Sequence, residues 1–456
     1  MDRSYRFYGL FMTLQPAIMI TDLELIKTVL IRDFGHFPDH GVYHNERVDP
    51  LSAHLFCVEG VRWKTIRSKL TPSFSSGRMR AMFPLVLDVA RNFTQFLRAT
   101  VGTEGAELDM KDVSARMMID SVGGCAFGIE CNSFHEPESM FRRSGQLVFE
   151  RPRHSQLVST VLRLYPAIGH ALGLKVNHDE VIEFFSRLVE DTVAMRTTTT
   201  TARHGPKRND LMEMMIELHR QGSNGGLTMD ELKAQAFGFF LAGFETSSSN
   251  VTFCLYELAR NEHCQERARA CVLKALRKHG GMMSYEAIAD MDYLDRCINE
   301  SLRMYPPLPM LQRLSSKPYH IPDSNVVLPA RTKVLIPVYA IQHDERYYPD
   351  PERFDPDRFA PEALAERRHL ATFLAFGEGP RVCIGKRLGV MQSRVGLATV
   401  LMNFRIRLGA NTPVPLAYAK NSVTIQSSGP VLLHVEPLTT QDPSGGSCRS
   451  SMLLSV

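Results

Sequence analysis

The chain has 456 residues, 44% of them apolar and 22% charged, the balance of an ordinary globular protein. A net charge of +4 is too small to argue for nucleic acid, although a local basic patch for an acidic partner protein stays open. Nine cysteines, at 57, 125, 131, 254, 264, 271, 297, 383 and 448, are odd in number and none is spaced Cys-x-x-Cys. That argues against a disulfide or zinc framework and for reduced thiols facing the cytosol. No run of about 18 apolar residues predicts a membrane span, and Met1–Arg6 opens no signal-peptide core.

In chain order, the first fifty residues carry short mixed apolar runs with Gly and Pro, which predict small strands and turns. Trp63–Ala81 and Phe83–Thr100 read as helices. The five threonines Thr197–Thr201, followed by Ala202–Arg208 with its Gly-Pro, predict a flexible loop. Asn209 or Asp210 can cap a helix over Leu211–Arg220. Thr228 and Glu231 form a capping box that opens a long helix to about Arg260. Ala236–Phe244 within it is nearly all apolar, so burial on most sides is expected. Asp292–Tyr305 is a further helix, ended by Pro306-Pro307 because the residue before proline avoids the helical region. Val326–Leu328 and Lys333–Pro337 predict short strands, Asp350–Phe359 proline-rich coil, and Thr439–Val456 a mobile polar tail. The expected organisation is one mainly helical catalytic unit over 1–438, with a small β portion.

Four constellations carry chemistry. Glu300 and Arg303, at i,i+3, share a helix face and can pair; such a pair on a surface contributes at most about 1 kcal/mol. Gly243 in mid-helix costs about 1 kcal/mol relative to alanine and so calls for a reason. The neighbouring Thr246 hydroxyl can bond back to the carbonyl of residue 242 and bend the helix. Glu245 can then feed protons through water, the alternative being a solvent-facing carboxylate. Trp63 and Arg67, at i,i+4, share another face.

The fourth constellation is the loop Phe376-Gly377-Glu378-Gly379-Pro380-Arg381-Val382-Cys383-Ile384-Gly385. A thiolate there can bind a metal through an open axial position. The glycines let backbone approach a flat cofactor, amides can point at the sulfur, and Arg381 can pair with an acidic edge of the cofactor. A buried, inert cysteine is the bland alternative.

The pattern Phe-x-x-Gly-x-Arg-x-Cys-x-Gly resembles the haem-thiolate loop of the cytochrome P-450 monooxygenases. The resemblance implies a cytochrome P-450 fold, with haem b held between a long central helix and the loop, and Cys383 as the axial iron ligand beside Phe376 and Arg381. It implies that Glu245 and Thr246 form the family's acid–alcohol pair. Trp63 and Arg67 match its Trp-x-x-x-Arg, whose donors reach a haem propionate, and Arg313 matches a further propionate-binding arginine. Pro351-Glu352-Arg353-Phe354 matches the motif whose arginine joins Glu-x-x-Arg, which assigns Glu300, Arg303 and Arg353 to a buried triad. Pro50–Phe56, Leu70–Phe74 and Lys386–Arg394 are most similar to insect microsomal members of the family-six type.

The implied reaction inserts one oxygen atom from O2 into an apolar substrate, with electrons from NADPH through a flavoprotein reductase and cytochrome b5 as a second partner. No P-loop or dinucleotide fingerprint suggests that NADPH binds this chain itself. The alternatives are a reductase-independent haem-thiolate isomerase and a non-catalytic haem-binding protein. Phe240, Ala242, Leu308, Met310 and His54–Phe56 are the expected pocket-facing residues. Lys64, Lys69, Lys386 and Arg387 are the expected border of a reductase-docking face, with a solvated positive face as the simpler account. The likeness begins at Phe7–Asp33, downstream of where microsomal forms carry an anchoring helix and hinge. A truncated chain or incomplete gene model is therefore expected, with the full-length form on the cytoplasmic face of the endoplasmic reticulum.

Overall fold

The capping box is formed: Thr228 Oγ1 accepts from Glu231 N–H at 3.1 Å, and the Glu231 carboxylate accepts from Thr228 N–H at 3.1 Å. It starts a 32-residue helix, Met229–Arg260, that becomes the axis of the molecule. At about 1.5 Å per residue it spans roughly 48 Å. This computed structural model describes residues 5–201, 208–222, 225–366, 371–420 and 422–438. Around the central helix pack Met110–Val122, Asp292–Met304, and Lys386–Asn403, the helix that follows Cys383.

Small residues allow these approaches. A Cβ on Gly243 would meet the Val122 side chain at 2.9 Å, and one on Gly145 would meet the Phe244 ring at 2.7 Å. Beside this seam lies an aromatic cluster. Phe240 is fully buried, its ring 5.0 Å from that of Phe185, 5.6 Å from Phe141 and 5.7 Å from Phe244. Phe240 therefore belongs to the core and does not face a pocket as expected.

Strand β1 (Phe7–Met12) pairs antiparallel with β2 (Gln15–Ile20), β3 spans Ala106–Asp109, β4 Leu311–Leu314, β5 Tyr319–His320 and β6 Val327–Leu328. β7 is Lys333–Ile336, β8 Phe404–Leu408 and β9 Leu432–Pro437. They form sheets of order β1-β2-β7-β4, β3-β9-β8 and β5-β6. In the first sheet β7 runs parallel to β2 and antiparallel to β4, with Arg313 opposite Val334.

Two expected boundaries move. The break after Trp63 falls at Thr71–Phe74, a 3-10 turn with Pro72 near its start, between helices Gly60–Leu70 and Ser76–Val101. Pro84 lies inside the second of these, where burial of Met79, Met82, Phe83 and Val86 offsets its missing donor. The threonine run is helical as far as Thr201, closing helix Asp179–Thr201, instead of a loop. Thr198 Oγ1 donates to the Ala194 carbonyl at 2.9 Å, which is how a threonine is accommodated in a helix. The Gly-Pro segment after it and the tail after Leu438 lie outside the described residues. No helix among the described residues is long and apolar enough to cross a membrane.

Candidate active site around Cys383

The cysteine loop is shaped by two glycines at positive φ, Gly377 (+70°) and Gly379 (+71°). A Cβ on Gly379 would lie 2.0 Å from the Leu30 carbonyl oxygen, so only glycine lets the loop rest on that backbone. Gly377 N–H donates to Leu374 O at 2.8 Å, and Cys383 N–H to Phe376 O at 2.9 Å, closing the turn. The Phe376 ring is half-buried and carries the Lys386 ammonium 5.1 Å from its centre.

Cys383 combines two properties. Protein surrounds it closely enough that burial raises its thiol pKa, yet its surface is exposed. A residue closely surrounded by protein and yet accessible borders an open space in the fold. The nearby backbone amides of Gly385 and Lys386, with the charges of Arg67 and Lys386, favour its thiolate.

The central helix shows the same signature. Ala242 is exposed although it sits in the middle of the core helix, and Thr246 is partly exposed one turn on. Within the Ala236–Phe244 stretch, expected to be buried on most sides, Ala242 is the exposed position. The Thr246 hydroxyl donates to the Ala242 carbonyl at 2.6 Å, as the sequence suggested. The next residue, Ser247, places its Oγ 3.4 Å from where a Gly389 Cβ would stand, so the helix after Cys383 meets the central helix here. Glu245 is buried, accepting from Gln426 Nε2 at 2.6 Å and from Ser249 Oγ at 3.2 Å, and burial raises its pKa.

Positive charge is concentrated at the loop's other edge. Arg381 is buried, its guanidinium 4.0 Å from the Trp63 ring centre, donating to Pro38 O at 2.7 Å and Val58 O at 3.1 Å. Asp39 stands 3.3 Å from it. Arg313 is 2% exposed, donates to the carbonyl of Gln312 at 2.9 Å, and finds no acceptor for its Nε–H among the described residues. Burial pushes Arg313 down to about 10 and Arg381 down to about 9. Burial with these two charges also holds His40 well below the usual imidazole range. Two buried guanidiniums with one close carboxylate call for an anion, because an uncompensated buried charge is costly.

The fit to a haem is thus good in three respects: a closely surrounded yet accessible cysteine bordering a hollow, cations short of an anion where propionates would lie, and a helix face opened at Ala242. Trp63 and Arg67 are brought to the same region but to different neighbours, Trp63 under Arg381 and Arg67 within reach of the Cys383 charge.

One assignment is corrected. Glu300 and Arg303 are both 0% exposed, paired through Nε–Oε2 at 2.7 Å and Nη2–Oε1 at 2.9 Å. Arg353 does not join them. Its side chain is 66% exposed and pairs with Asp355. The third member is Arg358, 10% exposed, with Nε 3.3 Å from Glu300 Oε1. The chain carries the motif twice, Pro351-Glu352-Arg353-Phe354 and Pro356-Asp357-Arg358-Phe359. The second copy forms a 3-10 turn that packs against helix Asp292–Met304, and Asp355 N–H donates to Glu300 at 3.0 Å just before it. That repeat was the signal available in the sequence. Gln426, which holds Glu245 from 181 residues away, had none.

A helical body with a glycine-pinned thiol loop, followed by a helix packed on the central one, defines a haem-thiolate protein. The chain matches the Cytochrome P-450 family over residues 1–434 and belongs to it. It is 42% identical over 433 residues to the probable cytochrome P-450 6a13 of Drosophila melanogaster, covering 95% of this chain and 86% of the relative. Over 443 residues it is 42% identical to cytochrome P-450 6a2 of the same organism, at the same coverage. It is a haem-thiolate monooxygenase, and haem bound through a cysteine thiolate is its cofactor.

Proposed function

We propose that Cys383 is the axial ligand and that the chain, as one catalytic unit over 1–438, oxidises apolar organic molecules of xenobiotic or lipid type. The observation that carries this is Cys383 itself, closely surrounded by protein yet accessible, with two amides and two cations near its thiol. Haem iron bound there would supply O2 activation, which a thiolate ligand favours. The overall change takes R–H, O2, two electrons and two protons to R–OH and water. Arg313 and Arg381, with Trp63 under Arg381 and Arg67 nearer Cys383, would hold the propionate edge of a haem, the arginines through their forked donors. Phe376 lines the sulfur side.

Glu245 and Thr246 handle protons at the opened face of the central helix. The Glu245 carboxyl, raised by burial, keeps a proton closer to neutral pH than an exposed glutamate does. Ala242, Met310 and Phe56, all exposed, offer apolar surface to substrate. Electrons come from an NADPH-dependent flavoprotein reductase, with cytochrome b5 as a second donor. They enter at the face bearing exposed Lys64, Lys386 and Arg387, in a full-length protein held at the endoplasmic reticulum. Cys383→Ala is the test. The reduced carbon-monoxide difference spectrum should lose its thiolate-type Soret band, and persistence of that band would remove Cys383 as ligand.

A further inference from the structure

Glu245 does not face the same space as its neighbour Thr246. Successive residues of a helix are turned by about 100°. Thr246 and Ala242 open on the hollow, whereas the Glu245 side chain lines a separate cavity of about 20 Å³ with mixed polar and apolar walls, room for a water. Lys111, Arg142 and Glu150 also line that cavity, with Ser249 and Gln426 bonded to the carboxyl. Lys111 and Glu150 stand 3.9 Å apart with their side chains 34% and 40% exposed, so this wall reaches solvent.

Gln426 is 4% exposed and far away in sequence, and its amide makes the shortest bond to Glu245, 2.6 Å, while also donating to Thr424 Oγ1 at 3.1 Å. Its own backbone is fixed: Gln426 O accepts from Ala419 N–H at 2.9 Å, and Ile425 N–H donates to Pro307 O at 3.0 Å. A side chain so tethered can hold a carboxyl in one place. Ser249, on the helix itself, cannot oppose a swing of the glutamate in the same way.

We propose that Gln426 is a positioning residue that keeps the Glu245 carboxyl turned to this cavity, where its proton exchanges with water, and away from the face of Ala242 and Thr246. It rests on the reading of Glu245 as the proton source. The carboxyl takes up a proton on the cavity side and gives it up on the hollow side. Gln426 sets how much of the time it spends loading. Arg142 and Lys111 keep the cavity hospitable to the ionised form between turnovers, and Glu150 opposes them, as their effects on the Glu245 proton indicate.

The test uses the haem-loaded full chain with Gln426→Met, which keeps length and removes the donor, and Glu245→Gln as reference. The first readout needs no turnover. The infrared carbonyl band of protonated Glu245, identified by its loss in Glu245→Gln, is followed against pH in the resting protein. In Gln426→Met it should move to higher wavenumber, with its midpoint up by about one unit, a tenfold change in ionisation constant.

The second readout is product per NADPH with reductase and 7-ethoxycoumarin as probe. It should fall at least about threefold, a part of the roughly 10²–10⁴ that general acid help supplies, with the missing electrons found in H2O2. An unmoved band or an unchanged ratio in Gln426→Met overturns the proposal. If Glu245→Gln lowers the ratio and Gln426→Met does not, only this inference falls. If Glu245→Gln leaves the ratio unchanged, the reading beneath falls with it. Should Gln426→Met fail to hold haem, Gln426→Glu replaces it: the same shape with a like charge is expected to move the midpoint further up, and no movement is the refuting result.

Discussion

The corrected triad makes a graded prediction that separates two arginines five residues apart. Glu300 is a fully buried carboxylate whose ionised form rests on three groups: Arg303 in a two-bond fork, Asp355 N–H, and Arg358. Burial raises the Glu300 pKa and lowers that of Arg358, so desolvation outweighs attraction for both. A group of this kind adds little to stability when intact but is expensive to break, because the partner left behind remains charged and dry. Arg303→Ala removes the fork and also the bonds to Gln342 O at 2.9 Å and Pro351 O at 2.7 Å. It should cost about 3–5 kcal/mol. Arg358→Ala leaves Glu300 with its fork and its amide, so the loss should be smaller, about 1–3 kcal/mol. Arg353→Ala removes an exposed partner of Asp355 and should shift nothing measurable. The assay is the denaturant midpoint of each haem-loaded variant at fixed slope, with haem content measured alongside. An Arg353→Ala loss equal to or larger than that of Arg358→Ala would refute the assignment and restore the first copy of the motif.

Gly379→Ala should collapse haem content: a left-handed alanine costs roughly 1–2 kcal/mol, and its Cβ would press on the Leu30 carbonyl at 2.0 Å, so the loop must shift. Haem stoichiometry after purification checks it, and wild-type loading would show that the loop does not need that rest. Thr246→Ala should keep haem and substrate binding but lower product per NADPH, since the hydroxyl bonded to Ala242 O is lost and little else; an unchanged ratio leaves Thr246 as a helix-bending residue. Glu245→Gln should become more stable relative to the parent as pH rises. The raised folded-state pKa means that the buried ionised carboxylate penalises the native state increasingly above the ordinary value of 4.5, and the gap levels off once pH passes the raised value. Unfolding midpoints from pH 4 to 8 test this, and a gap that narrows with rising pH would contradict it.

By itself the sequence determined the elements whose signals are local. The capping box placed the start of the central helix, Asp210, one of the two residues read as a cap, starts Leu211–Arg220, and Pro306-Pro307 ended the helix carrying Glu300. The filled glycine-rich pattern around Cys383 marked the thiol loop, because a turn that rests on neighbouring backbone leaves its glycines visible in the sequence. What the sequence left open depended on distant neighbours. Two copies of Pro-x-Arg-Phe are equivalent as strings, and only packing of the 3-10 turn against helix Asp292–Met304 selects Arg358 over Arg353. Phe240 and Ala242 are both apolar positions of one helix. Whether each meets an aromatic cluster or a hollow is decided by which partners stand around that helix. Glu245 had a role on paper but no direction. Its direction comes from Gln426, brought by the fold across 181 residues, and a hydrogen bond between residues so far apart leaves no trace in local pattern.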